Sequence, residues 1–298
     1  MFNVNTVIQT QQTALGTNTN NTSNENTSSE RHSQFHSQTL VQQFCRATHL
    51  GKLIEGTVNS FLSNYRRTRK PEDALGPLLL RLDFNYAELV NHAPQLLNLA
   101  VAEPLQFAEA IKYSVYGQVR DLLKSNANPN ESSLKAIDIA QLHTQWRLLD
   151  LPLQSNLVFD PSEWLYPLGL ALVDGILSAL TLPEVLVLQS IWYCASGCMR
   201  NAIQTSSTDA PLCPNCSRPM SEYQKLRVTE NYRLLAVLPK ACAQTPRTVD
   251  RIYRPILVRV RAHTYDCDLK LGANYLITGY YCGTATTYQF EACHLKRV

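Results

Sequence analysis

The sequence predicts an α+β protein with more than one domain, in which a helical front part is followed by a small β-barrel that carries an inserted four-cysteine metal site. Three observations lead to this prediction. Apolar residues recur at helical spacing in the front part, strand-like runs separated by Pro, Gly and Asp follow, and two cysteine pairs interrupt these runs. At 298 residues the chain is long enough for two such domains.

Residues 1–37 are expected to form a disordered leader. Asn, Thr, Ser and Gln dominate this segment, and it has too few large apolar side chains to offset the entropy lost on ordering. No apolar run in the chain approaches the ~18 residues that a membrane helix needs, and the first residues lack the pattern of a signal peptide. We therefore expect an intracellular protein with no membrane partner, whose 9 cysteines do not form a disulfide framework.

The helical domain is predicted at residues 38–128. Within residues 39–65, apolar side chains recur at intervals of three and four, which is typical of one or two amphipathic helices. Residues 104–124 predict another helix with Pro104 in its first turn, and the run LLLRLDF at 78–84 predicts a strand.

The barrel is predicted at residues 129–192 and 220–285, with the metal-binding insertion at 193–219 and a C-terminal tail at 286–298. The strand-like runs in this part start with AIDIAQLHTQWRLL and end with ANYLITGYY, and five or six of them fit a small barrel. The cysteine pairs follow the third run and precede the fourth. The metal site is therefore expected to project from the barrel as a separate unit.

The four cysteines of the insertion have the spacing of a zinc site. They form a C-x3-C pair and a C-x2-C pair with fourteen residues between them, and they are Cys194, Cys198, Cys213 and Cys216. Two such pairs can place four thiolates around one tetrahedral Zn²⁺, and a site closed by four sulfurs has no open position for catalysis. The predicted cofactor is therefore a structural Zn²⁺. The alternative is two unconnected pairs of buried thiols.

Motifs of the common enzyme classes are missing from the sequence. There is no P-loop, no G-x-S-x-G, no H-E-x-x-H and no G-x-G-x-x-G, and no His or Cys is followed two positions on by the Glu of a zinc deaminase. Isolated cysteines in strand-rich sequence are typically apolar fillers, rather than nucleophiles activated by His263 or His294. This applies to Cys242, Cys267, Cys282 and Cys293. We therefore expect a protein that is not an enzyme.

Positive charge is concentrated in the last part of the chain. From residue 217 onward, Lys and Arg outnumber Asp and Glu by thirteen to six, whereas the preceding residues carry a net charge of −4. This distribution favours the C-terminal part as the surface that meets a polyanion. The alternative is a basic face that contacts only solvent.

Several phrases in sequence order provide a further signal. They are DFNYAELVNHAPQLLNLAVAEP at 83–104, IWYC and CPNC at the two ends of the insertion, EYQKLRVTE at 222–230 and LGANYLITGYY at 271–281. Together they resemble the helical-domain signature, the zinc motif and the return strands of the N-terminal, non-ATPase half of the minichromosome maintenance (MCM) proteins. The resemblance covers roughly residues 38–285.

The resemblance implies a helical domain followed by an oligonucleotide-binding (OB-type) barrel with an inserted zinc ribbon. It also implies packing into rings with sister subunits, and a hairpin that directs basic residues toward DNA. On and after this hairpin, the candidate DNA-binding residues are Lys240, Arg247, Arg251, Arg254, Arg259 and Arg261. The alternative for these residues is a solvated strand face.

Two departures from the family pattern shape the expected function. In the family an ATPase motor follows this half, whereas the present sequence ends at Val298, and the strand at 168–180 has no Arg or Lys for single-stranded DNA. The chain thus looks like the motorless MCM-like proteins of flies, which act with motor-bearing partners in meiotic recombination. We expect a nuclear, non-catalytic subunit that associates with such a partner and with DNA, single-stranded and contacted within the complex. The alternatives are a protein-interaction scaffold whose barrel no longer binds DNA, a replication-associated accessory factor, and a zinc-ribbon module of transcription machinery.

Overall fold

The computed structural model describes most of the chain, namely residues 25–68, 77–126, 137–159, 166–199, 202–205, 209–240, 255–282 and 289–298. The α-helices in these ranges are α1 (Glu25–Ala47), α2 (Leu50–Thr68), α3 (Tyr86–His92), α4 (Pro94–Ala102) and α5 (Pro104–Asn126). The strands are β1 (Leu78–Asn85), β2 (Leu142–Leu149), β3 (Leu170–Leu180), β4 (Glu184–Tyr193), β5 (Ala202–Thr205), β6 (Ser221–Glu222), β7 (Val228–Pro239), β8 (Ile256–Arg261), β9 (Asn274–Cys282) and β10 (Gln289–Arg297). None of the described helices combines the length and the hydropathy that crossing a membrane requires.

The helices of the front domain begin where the sequence supplies suitable first residues. Prolines open α4 and α5, where a missing backbone N–H costs no helical hydrogen bond. Asn85 caps α3, because its side-chain oxygen accepts a hydrogen bond of 2.9 Å from the backbone N–H of Ala87. These starts agree with the helix that the sequence predicts at 104–124.

A two-stranded parallel sheet completes the front domain. β1 pairs with β2 along its whole length, so that Leu78 faces Leu142 and Asn85 faces Leu149. Alternate side chains of β1 point toward the helices, and Leu80, Leu82 and Phe84 are fully buried there. This alternation explains why the run LLLRLDF forms a strand with one buried face.

The second domain is a closed barrel of five strands. Around the ring the order is β3, β9, β10, β8 and β7, and β7 pairs with β3 again. β8 and β10 are parallel, and the other neighbours are antiparallel. Followed in the opposite direction from β3, the ring contains the first, second, third, fifth and fourth barrel strands of the chain, which is the Greek-key arrangement of an OB-type barrel. Its core is lined by apolar side chains from all five strands.

A ribbon formed by β4, β5 and β6 projects from the barrel. The second half of β7 pairs with β3, whereas its first half pairs with β4, from Tyr232 opposite Glu184 to Val228 opposite Gln189. β4 in turn pairs with β5 and β6. The ribbon therefore interrupts the chain between the first and second barrel strands, and the cysteine pairs lie at its far end.

The structure confirms the predicted fold class, and it also shows a longer first helix than expected. α1 begins at Glu25, inside the segment expected to be a disordered leader, and the preceding residues 1–24 lie outside the described part. α1 packs against α5. Because extending an existing helix adds one hydrogen bond for each residue fixed, polar residues can continue a helix that is already anchored.

Two strands pair with different neighbours from those that the sequence predicted. The run at 142–149, expected in the barrel, is β2 and pairs with β1, whereas residues 289–297, expected in a C-terminal tail, form β10 and complete the ring between β8 and β9. Periodicity identifies a strand but not its partner, because pairing joins residues that are distant in the sequence.

One apolar core spans the front domain and the outer face of the barrel. Leu170, Leu172 and Cys293 of the barrel pack with the buried residues of the helices and of β1 and β2. A series of aromatic rings follows the same path, with centroid separations of 5.2, 5.0 and 6.1 Å along Phe84, Phe107, Trp146 and Tyr280. The two domains are thus joined by packing.

Arg147 adds hydrogen bonds to the packing between the helical domain and the barrel. Arg147 of β2 donates to both carboxylate oxygens of Asp83 on β1, at 2.7 and 2.5 Å, and to Asp266 of the barrel at 2.7 Å. The hydrogen bonds with Asp83 raise the pKa of Arg147 further above its usual value, despite partial burial. The guanidinium group therefore links three elements with three of its nitrogens.

Replacing Gly169 by Ala should weaken the junction. Gly169 precedes β3, and a Cβ at this position would lie inside the contact distance of the carbonyl oxygens of Val101 and Ala102 at the end of α4. We expect Gly169→Ala to lower the free energy of unfolding by roughly 1–3 kcal/mol. The control is Gly56→Ala within α2, where the new Cβ meets no atom within 4 Å, and which should raise the free energy of unfolding by about 0.5–1 kcal/mol. Urea unfolding of both variants tests the prediction, and a change of the same sign in both would contradict it.

Candidate functional site

The four cysteines of the insertion come together at the end of the ribbon. Their sulfur atoms all lie within 4.8 Å of one another, and those of Cys194 and Cys216 are 3.5 Å apart. A tetrahedral zinc site with Zn–S distances of ~2.3 Å has sulfurs separated by roughly 3.8 Å. Four sulfur donors at this spacing fit one Zn²⁺, and no other group of potential ligands in the described ranges is arranged in this way.

Two tight turns present these sulfurs. In the first, the backbone N–H of Gly197 donates to the carbonyl of Cys194 at 2.9 Å, and Gly197 has a φ of 75°. In the second, the N–H of Ser217 donates to the carbonyl of Cys213 at 2.7 Å, and Ser217 has a φ of 55°. Glycine adopts a positive φ without steric cost, which explains how the longer C-x3-C pair turns as tightly as CPNC.

The apolar core around the cysteines is small. Trp192 and Met220 are the large buried side chains that pack with Cys194 and Cys213. A unit with so few apolar contacts gains little stability from burial alone, and a metal ion is the usual source of the remainder. A bound Zn²⁺ would supply this structural stability, and its four sulfur ligands would leave no coordination position for a substrate.

The thiol pKa values of Cys194 and Cys198 also favour a bound cation. The backbone N–H of Ser196 lowers the pKa of Cys194 to about 6, whereas the hydrogen bond with Cys216 raises the pKa of Cys198 to about 11. One thiolate in the cluster thus makes the next ionisation more difficult, because like charges repel at this distance. A divalent cation among the sulfurs would compensate this repulsion.

The basic hairpin of the sequence prediction starts at one end of the barrel. Val237 of β7 faces Ile256 of β8, so the connection at 241–254 leaves and re-enters the barrel at the same end. Lys240 stands at its base with 42% of its side chain exposed, and its Nζ lies 3.9 Å from the carboxylate of Asp174. The other candidate residues of this connection lie outside the described residues, and they are Arg247, Arg251 and Arg254.

Arg259 and Arg261 occupy the outer face of β8, where both bind Glu291 of β10. One carboxylate oxygen of Glu291 accepts from Nε of Arg259, and the other accepts from Nε of Arg261 at 2.5 Å. Only 4% of Glu291 is exposed, so its charge requires these partners. The two arginines therefore stabilise the barrel, and the DNA contact assigned to them from the sequence stays a prediction.

Glu230 of β7 extends this charge network. Its Oε1 lies 2.5 Å from Nδ1 of His263, and its Oε2 lies 3.9 Å from Arg261. Burial acts to raise the pKa of Glu230, but the hydrogen bond with His263 and the neighbouring positive charge bring it below its usual value. Sequence reasoning included Glu230 only as the last residue of the phrase at 222–230 and missed Glu291, because an acidic residue in a strand gives no signal of its partner.

Two of the cysteines considered as possible nucleophiles have thiols with a raised pKa. Burial raises the pKa of Cys293 to about 12, and burial likewise raises the pKa of Cys282. A raised pKa disfavours the thiolate, which is the reactive form. Cys242 lies outside the described residues.

Comparison with known proteins supports the fold. No protein-family model matches the chain, and no curated protein sequence matches it. Among solved structures, the chain is similar to the N-terminal domain of an archaeal MCM, with a TM-score of 0.55 and 11% sequence identity. The match covers 89% of this chain and 99% of that one. At this identity the likeness establishes a shared fold, which is the fold that the MCM resemblance of the sequence implied.

Replacing one cysteine of the cluster should release the metal. We expect the wild-type protein to contain about one zinc ion per chain, and Cys213→Ser to contain almost none, because a buried ligand is lost from a four-sulfur site. The control is Cys267→Ser, which changes a partly exposed cysteine outside the cluster and should retain zinc. Elemental analysis after dialysis measures the content. A zinc-free wild type, or a Cys213→Ser variant that keeps its zinc, would be incompatible with the metal site.

Removal of the Glu291 charge should destabilise the barrel. Glu291→Gln leaves Arg259 and Arg261 without their shared partner, and we expect the free energy of unfolding to fall by roughly 2–4 kcal/mol. The control is Asp150→Asn, because Asp150 and Lys296 form an ion pair in which each side chain is 62% exposed, and its loss should change stability by less than about 0.5 kcal/mol. Urea unfolding compares the variants. An equal free energy of unfolding for Glu291→Gln and wild type would show that the pairing of Glu291 with Arg259 and Arg261 does not stabilise the barrel.

Proposed function

We propose that this chain is a non-catalytic MCM-like subunit of the nucleus, which associates with an ATPase-bearing MCM-like partner and with DNA in meiotic recombination and crossover formation. The observation that carries the proposal is the fold, because its likeness to the N-terminal domain of an archaeal MCM extends over 89% of the chain. The phrases at 83–104, 222–230 and 271–281 support the same family. The meiotic role is taken from the motorless MCM-like proteins of flies, which the sequence resembles.

In this proposal the partner supplies the ATP hydrolysis. The sequence contains no P-loop, and the four-cysteine cluster has the closed donor set of a structural site. The chain would contribute the OB-type barrel and the zinc-bound ribbon to the complex. Its role is then to position DNA or partner subunits rather than to perform chemistry.

The proposed DNA contact centres on the connection at 241–254. Lys240 stands at its base, and the sequence of the connection contains Arg247, Arg251 and Arg254 against a single acidic residue, Asp250. A positively charged segment at one end of an OB-type barrel suits the phosphate groups of DNA. Arg259 and Arg261 are the weaker candidates, because both are held against the carboxylate of Glu291.

Specific observations favour a protein-interaction scaffold as the second candidate function. Arg259 and Arg261 are paired with Glu291, and β3 carries Asp174 as its single charged residue. These two features leave little free positive charge on β3 and β8. In a scaffold, the barrel would keep its shape and bind the partner without contacting DNA.

Removing positive charge from the connection should weaken DNA binding. We expect the triple variant Lys240→Ala, Arg247→Ala and Arg251→Ala to bind a single-stranded oligonucleotide more weakly, with a log-log salt slope reduced by up to about 2, because each lost phosphate contact lowers the slope by ~0.7. Fluorescence anisotropy over a series of salt concentrations provides the measurement. The charge-matched control replaces the exposed Lys52, Arg120 and Lys124 of the helical domain by Ala and should leave the slope unchanged.

The same proteins distinguish the two candidate functions. Purification from germline tissue tests whether an ATPase partner is retained in a stoichiometric amount. Wild-type protein that retains the partner but does not bind single-stranded DNA at ~50 mM salt, where nonspecific binding is strong, would establish the scaffold instead. Wild-type protein that retains neither would overturn both functions.

A further inference from the structure

The four cysteines of the ribbon differ in their access to solvent. Cys194 and Cys213 are 4% and 1% exposed, Cys216 is partly buried, and Cys198 is exposed. Among the cysteines that the structure describes, Cys198 has the most open position, because those outside the ribbon are buried or partly buried. An oxidant that arrives from solvent would therefore reach the sulfur of Cys198 first.

The sulfur of Cys216 lies within reach of Cys198. The two side chains form a hydrogen bond, and their turns are also held together by two other contacts. The Nδ2 of Asn215 donates to the carbonyl of Cys198 at 3.4 Å, and Arg218 donates to Oγ of Ser196 at 3.2 Å. All sulfurs of the cluster lie within 4.8 Å of one another. Because a disulfide bond is about 2.0 Å long, joining Cys198 to Cys216 requires only a small approach of the two sulfurs.

Cys194 is the other sulfur beside Cys198, but it is less free to react. Backbone N–H groups of Ser196 and Cys198 donate to its sulfur, and these hydrogen bonds engage the lone pairs with which the sulfur would attack. Cys194 is also buried in the small apolar core of the ribbon. Cys216 is therefore the favoured partner of an oxidised Cys198.

We propose that Cys198 is an oxidation site for hydrogen peroxide, and that its oxidation forms a disulfide with Cys216 and releases the metal from the ribbon. The proposal rests on the four-sulfur metal site and does not depend on the proposed DNA contact. A bound Zn²⁺ requires its cysteine ligands to be deprotonated, and the thiolate is the form of cysteine that peroxides oxidise.

The oxidation has two steps. In the first step the sulfur of Cys198 attacks a peroxide oxygen, so that an S–O bond forms, the O–O bond breaks and hydroxide leaves. The sulfur of Cys198 loses two electrons, and the peroxide gains them. In the second step the sulfur of Cys216 attacks the sulfenic sulfur, so that the S–S bond forms, the S–O bond breaks and a second hydroxide leaves. Each hydroxide takes a proton from solvent and becomes water.

The disulfide would leave Cys194 and Cys213 as the remaining ligands. Two sulfurs do not complete a tetrahedral site, so the metal would dissociate. The ribbon end has few apolar contacts of its own and would lose its order with the metal. The barrel has a separate apolar core and would keep its fold. Reduction of the disulfide by a thiol, with zinc present, would reverse the change.

Treatment of the zinc-loaded wild-type chain with hydrogen peroxide tests the proposal. We expect release of about one zinc ion per chain, measured with a chromogenic chelator against an untreated sample. Mass spectrometry of unreduced peptides should identify a Cys198–Cys216 disulfide, and dimedone added during the reaction should label Cys198, because it traps sulfenic acids. Dithiothreitol and zinc should restore the metal content. A disulfide between another pair of cysteines, or zinc that stays bound, would overturn the proposal.

The variant Cys198→His separates the exposed thiol from metal binding. It keeps a set of three cysteines and one histidine, which also binds zinc, and should retain its zinc under the treatment that empties wild type. The matched variant Cys213→His has the same ligand set but keeps Cys198 and Cys216, and it should release zinc as wild type does. Equal zinc release from Cys198→His and wild type would contradict the proposal. If either variant contains no zinc before treatment, the disulfide found in wild type decides.

Discussion

Closure of the barrel at Gly175 is the constraint on which the other features depend. Gly175 of β3 pairs with Tyr275 of β9 on one side and with Pro239 of β7 on the other, so the sheet meets itself at this residue. A side chain at this position would collide with the backbone of Leu238, and glycine avoids the collision. Closure pairs the edges that an open five-stranded sheet would expose. β3 ends at Leu180, opposite Leu235 of β7, which leaves the first part of β7 to pair with β4.

The long strand β7 connects the two candidate sites. Its first half pairs with β4 and thus holds the ribbon that carries the four cysteines, whereas its last residue, Pro239, is followed by Lys240 and the basic connection. The metal site and the candidate DNA site are therefore positioned from one element of the barrel. Since the helical domain shares a continuous core with the outer face of the same barrel, all three parts are held by a single packed structure.

Charge pairing divides the basic residues of the barrel into two groups. Glu291 and Glu230 are buried, and a buried carboxylate is costly without a partner, so Arg259, Arg261 and His263 are held against them. Lys240 pairs instead with Asp174 of β3, at 3.9 Å, and 42% of its side chain is exposed.

The sequence by itself determined the features whose signals are local. The strand at 78–84 and the helix beginning at Pro104 were predicted correctly in position and type, and the four cysteines expected to share a site do lie together, because alternation, helix starts and ligand spacing each involve residues close together in the chain. Only the tertiary structure decided that β2 joins β1, that β10 completes the barrel, and that Arg259 meets a carboxylate 32 residues away. Each of these depends on pairing between distant residues, which is determined by the packing of the whole chain and leaves no periodic trace in the sequence.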